Sequence, residues 1–162
     1  MTRNAKLIEL ISVCSDIGKL QNWVRNAERE GVPEIADAAR RRIIEVEALK
    51  SKDSSSDPMV LDFWKSIFAL EFALSEERGK TTRLNRTRQK IARVGVLQTL
   101  ADLARQPTAS EGYFLLRERG MLDMSAEAVV LRFPDRFDPD ILIAAQRRLD
   151  GDQNSDLDGE SV

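Results

Sequence analysis

Between Arg78 and Ala101 the chain carries seven cationic side chains, Arg78, Lys80, Arg83, Arg86, Arg88, Lys90 and Arg93, and no Asp or Glu. Guanidinium forks match the geometry of phosphate oxygens. A run of cations with no intervening acid sets up a positive field that draws in polyanions and speeds their encounter. The chemistry implied is non-covalent: neutralisation of several phosphates, sensitive to salt and largely indifferent to base sequence. From Ala73 to Gly112 there is no Phe, Tyr or Trp. An unpaired base would find no ring to stack on there, so the expected partner is duplex nucleic acid, with DNA favoured.

Catalytic chemistry has little to work with. The chain has no histidine and one cysteine, Cys14, which removes Ser-His-Asp and Cys-His arrangements and the usual zinc sites. Gly79-Lys80-Thr81-Thr82 is like the end of a phosphate-binding loop, but Leu74 stands where the first glycine of that loop belongs. Asp123, Glu127, Asp135, Asp138 and Asp140 leave a magnesium-dependent nuclease as the enzymatic alternative. The expectation is a non-enzymatic protein with no cofactor and no metal.

The cations need a scaffold. If Thr81 or Thr82 caps a helix, Arg83, Arg86, Lys90 and Arg93 fall within an arc of roughly 80° and form one cationic face. Ahead of it, Asp57 and Pro58 read as the cap and first turn of a long helix carrying Phe63, Trp64, Phe68 and Phe72. Apolar groups occupy most of its circumference, so it should be buried by neighbours or by a second copy. Those four aromatics are the expected interface for a homodimer or a helical protein partner. After the basic run, Val96 to Ala104 is amphipathic, Pro107 stops it, and Thr108 with Glu111 has the spacing of a capping box for a helix from Ser110 to Arg119.

The stretch LADLARQPTASEGYFLLRERGML resembles the helix-turn-helix core of winged-helix regulators, in which a recognition helix ends in basic residues followed by glycine and apolar groups. That resemblance implies DNA contact by Arg117 and Arg119. No β-hairpin wing pattern follows it. Ser125 instead opens Ala126–Arg132, which reads as helical or briefly extended.

Upstream, Leu7, Ile8, Leu10, Ile11 and Cys14 follow helical spacing. Ser15 reads as the cap of a second helix with Ile17, Leu20, Val24 and Ala27, and Gly31 stops it before Pro33 starts a third. Pro33-Glu34-Ile35 with Ala38-Ala39 and Arg41-Arg42-Ile43 recurs as Pro139-Asp140-Ile141 with Ala144-Ala145 and Arg147-Arg148-Leu149. Two readings fit this repeat: paired arginines shown to one polyanion, or a shared helix grammar of proline and acid first and cations last.

The chain thus reads as all-α, a multi-helix bundle with an N-terminal three-helix segment (1–50), a polar linker (51–57) and a helical core (58–149). The core holds the long aromatic helix, the basic segment 78–93 and a helix-turn-helix-like cluster. A tail from 150 to 162 has five acids and no base, and its composition predicts disorder. It could cover the basic face as an internal competitor or simply solubilise the protein. With 42% apolar residues, no signal-like block and no membrane-length apolar window, a cytoplasmic protein is expected. The alternative role is a helical adaptor or regulatory subunit that self-associates through residues 58–75.

Overall fold

The structure is a computed structural model that describes residues 2–51 and 57–158, with side chains of the last helix described as far as Gly151. Among the described residues the protein is all-α, with nine helices and no strand. The chain divides into two compact units, residues 1–54 and 55–162. Residues 52–56 of the expected linker and the last four residues of the acidic tail lie outside the described residues.

The first unit consists of α1 (Arg3–Val13), α2 (Ile17–Glu30) and α3 (Pro33–Lys50). Thr2 caps α1 by accepting from the Ala5 amide at 3.2 Å. Asp16, not Ser15, caps α2, because its carboxylate reaches the Lys19 amide at 3.2 Å. A carboxylate also complements the positive end of the helix better than a hydroxyl does. Gly31 adopts φ +70° and lets the chain reverse, with the Val32 amide bonded back to the Ala27 carbonyl at 2.9 Å. Pro33 then opens α3. Both α1 and α2 pack along α3 and make few contacts with each other. The core holds Ile11, Leu20, Val24, Ile35, Ala39, Ile43 and Ile44. Of the α1 residues expected to be apolar inward, only Ile11 is fully buried, and Ile8 and Leu10 are exposed. Cys14 is half-buried and donates its thiol to the Asp16 carbonyl.

The second unit is built round α4 (Pro58–Arg78), followed by α5 (Asn85–Val94), α6 (Val96–Arg105), α7 (Glu111–Glu118), α8 (Ala126–Arg132) and α9 (Pro139–Asp158). Asp57 caps α4 through the Met59 amide, with Pro58 in the first turn. The main partners of α4 are α7 and α8, while α6 packs on α8 and α9. Phe63, Met59, Ile67, Leu100, Leu116, Val129 and Val130 fill the centre. Gly112 brings α7 close to α4: a Cβ there would stand 2.5 Å from Cδ2 of Leu70. Ser110 caps α7 through the Tyr113 amide, so Thr108 does not play the capping role its spacing predicts. Helices α6 and α7 are joined by a short turn, yet α7 is seated chiefly on α4. Gly95 joins α5 to α6 at φ 88° and ψ 171°, a conformation open in practice to glycine alone.

The backbone of α9 continues to Asp158, through the segment whose acidic composition predicts disorder. Once Pro139–Leu149 is fixed by packing, each further residue adds a hydrogen bond without the cost of a new nucleus.

The repeated proline-to-arginine pattern has a shared structural meaning. Arg42 donates through Nε to the carbonyl of Cys14, the C-cap of α1, at 2.8 Å, and pairs with Glu45 at 3.3 Å. Arg148, at the matching place in α9, donates to the Leu103 and Gln106 carbonyls at the end of α6 and pairs with the buried Glu127 at 2.7 Å. Each guanidinium thus closes the C-terminal end of an earlier helix, where free carbonyls concentrate negative partial charge. Neither arginine lies in the last turn of its own helix, as the shared grammar of cations last would have it, and neither is presented outward as half of a phosphate-binding pair.

Candidate nucleic-acid interface

Glu71 organises the basic segment. It lies on α4, only 7% exposed, and its carboxylate takes three donors from the chain ahead. The Leu84 amide and Arg88 Nε both reach Oε2 at 2.8 Å, and Arg88 Nη2 reaches Oε1 at 2.6 Å. The guanidinium also lies 5.3 Å from the Trp64 ring centroid and 5.4 Å from that of Phe68. A two-pronged ion pair and two aromatic faces compensate the desolvation that burying these charges costs. The buried indole N–H of Trp64 has no hydrogen-bond partner, so its ring serves here through its face. Leu84 completes the attachment by packing against Ala73, Leu74 and Leu115.

This attachment sets where α5 starts. Thr82 is held by Ser75, whose hydroxyl accepts from the Thr82 amide at 2.8 Å, so neither Thr81 nor Thr82 caps a helix. The helix begins at Asn85, and Arg83 precedes it. At 100° per residue, Arg86, Lys90 and Arg93 share an arc of about 60°, with Arg88 on the opposite side facing Glu71. Placing Arg88 with the binding cations is therefore corrected: its side chain is a structural bolt. No residue of α5 is buried.

The remaining cations divide. Arg78 pairs with Glu111 at 3.0 Å, and Arg119 with Glu76 at 2.7 Å. Arg117 lies over the Phe114 ring at 4.9 Å. Lys90 pairs with Asp102 of α6 at 2.7 Å. Among the described residues Lys80, Arg83, Arg86 and Arg93 are exposed and have no carboxylate partner. Of the cations the sequence assigns to nucleic acid, those without a partner thus lie within residues 80–93, while Arg117 and Arg119 are held by neighbours.

The Lys90 ammonium, and after it the Gln98 amide, hold the Asp102 carboxyl below the usual carboxylate range. A lowered folded pKa means that this tie contributes fully above the unfolded value of about 3.9 and is lost as pH falls through the folded value. It is therefore intact at neutral pH. Asp102→Asn should release Lys90 to join Arg86 and Arg93. Because the nucleic-acid reading has Lys90 leave this pair on contact, the variant should bind duplex a few-fold more tightly with the salt slope little changed, which fluorescence anisotropy can resolve.

Of the four aromatic residues expected at a partner interface, Phe63 and Trp64 belong to the unit's own interior. Phe63 is fully buried and Trp64 is 3% exposed, while Phe68 and Phe72 are half-buried. Helices α7 and α8 cover α4, so Phe63 and Trp64 offer no surface to a second chain without unfolding. Among the described residues no three His, Cys, Asp or Glu side chains gather to hold a metal ion. Glu127 and Asp140 are paired with Arg148 and Arg105. No helix among the described residues is long and apolar enough to cross a membrane.

Glu71 was the residue least visible in the sequence. Its only signal was an acid at an interior phase of an otherwise apolar helix. Comparison with protein-family models, with curated proteins and with solved structures returned no match.

Proposed function

We propose that the protein binds the phosphate backbone of duplex nucleic acid without catalysis, through Lys80, Arg83, Arg86 and Arg93, with Lys90 recruited from its ion pair on contact. The observation that carries this reading is the one-sidedness of α5. One side is bolted to α4 by Arg88 and Glu71, and the other presents Arg86 and Arg93, with no carboxylate of their own among the described residues, beside the Asp102-paired Lys90. Like charges on adjacent turns repel, and a line of phosphates relieves that repulsion. A duplex is preferred over a single strand because the segment offers no aromatic platform for unpaired bases.

Binding of a labelled 20-base-pair duplex, followed by anisotropy across a salt series, tests the proposal. Four to five phosphate contacts give a slope of log affinity against log salt of about −4, with little dependence on base sequence. Absence of a shift at low ionic strength rejects it. The adaptor reading through residues 58–75 has no comparable support, since Phe63 and Trp64 are already enclosed.

A further inference from the structure

A cavity of about 330 Å³ opens between α1 and α2, over α3, where the first two helices diverge. Its apolar lining is Leu7, Ala27, Val32, Ile35 and the half-buried Trp23. A volume of this order is at the lower end for small-molecule sites, which pair an apolar body with a few placed polar groups.

The polar groups here are unusually complementary. Arg3 on α1 and Glu30 on α2 both line the cavity, and neither has a partner among the described residues. Two asparagines are half-used. Asn4 donates through Nδ2 to Glu34 at 2.8 Å, which leaves its carbonyl oxygen as an acceptor. Asn26 accepts from Arg29 through Oδ1 at 2.9 Å, which leaves its amide nitrogen as a donor. Each wall therefore offers one donor and one acceptor, with one full charge of each sign across the cleft.

We infer that the cleft between α1 and α2 is a binding site for a free α-amino acid with an aromatic or large apolar side chain. Arg3 and the Asn26 amide receive its carboxylate, Glu30 and the Asn4 carbonyl receive its ammonium, and Trp23, Leu7 and Ile35 enclose its side chain. A simple anion would leave Glu30 unanswered, a simple cation would leave Arg3 unanswered, and an uncharged apolar molecule would leave both. This site is independent of the basic segment, so its failure would leave the duplex proposal untouched, and the reverse also holds.

L-Phenylalanine is a suitable probe for the full-length protein, followed by the indole N–H resonance of Trp23 in ¹H–¹⁵N spectra. Trp23→Phe assigns that signal against Trp64. The expected result is a saturable shift of the Trp23 resonance, with at least tenfold weaker binding for phenylalaninamide, which lacks the carboxylate, and for N-acetylphenylalanine, which lacks the ammonium. Arg3→Ala and Glu30→Ala alter exposed residues and should each weaken phenylalanine binding by a similar factor while leaving the remaining spectrum in place. No saturable shift up to about 10 mM would overturn the assignment. So would equal binding of the three probes, or binding by both variants as tight as by the wild type.

Discussion

Reversing two charges, Arg86→Glu with Arg93→Glu, should lower duplex affinity by roughly a hundredfold or more at low salt and flatten the salt slope by about two units. Both side chains are exposed on the outer side of α5 and lack carboxylate partners among the described residues, so no internal contact is lost with them. Thermal stability should therefore barely change, and relief of repulsion along the helix could even raise it by a few tenths of a kcal/mol. The matched control is Arg25→Glu with Arg29→Glu on α2, which alters net charge equally while leaving the basic segment intact. A control that weakens binding as much as the test pair would mean that overall charge, and no particular surface, drives association.

Arg148→Ala has the largest expected effect on stability. Its guanidinium is 13% exposed and Glu127 is 7% exposed; truncation would strand a buried carboxylate and two carbonyls at the end of α6. Breaking one side of a buried pair costs about 3–5 kcal/mol. In a chain of this size that corresponds to a fall in Tm of roughly 10 °C. Replacing both partners with apolar residues, Arg148→Met with Glu127→Leu, should recover a substantial part, because the stranded charge goes with its partner. Calorimetry on the two variants decides the matter: a single variant within about 2 °C of wild type would show that the pair contributes little.

Much of the architecture was legible because it rests on local grammar. Pro33, Pro58 and Pro139 open helices where the sequence places them, and Gly31, Gly79 and Gly120 stop them with positive φ. Caps were less legible. Ser15 and Asp16 are adjacent, the near-equivalent hydroxyls of Thr108 and Ser110 are two positions apart, and only the path of the chain selects which oxygen faces an amide.

The interface was the hardest part to read. Its phase depends on where α5 begins, and that start is dictated by Glu71, a contact spanning 17 positions for Arg88 and 13 for Leu84. The pair joins one helix to the next across the turn at Gly79, so the periodicity of neither helix alone shows it. Lys90 was legible as a cation on the outer face, but its engagement by Asp102 required the fold of α5 back on α6. The aromatic helix shows the same limit: an apolar circumference predicts enclosure, yet composition cannot distinguish the chain's own helices from a second copy as the cover.

Gly95 has a consequence for how the surface is aimed. It is the joint at which the basic helix departs from α6, and its backbone angles are closed to side chains with a β-carbon, though nothing lies within 4 Å of the position such a carbon would take. A bulkier residue would meet no obstacle there except its own torsional preference. The arginine row would take a new bearing, with every charge retained, only by breaking the Arg88–Glu71 bolt. Orientation and charge can therefore be altered separately in this molecule, and a loss of grip without a loss of cations would locate the cause in the joint and the bolt together.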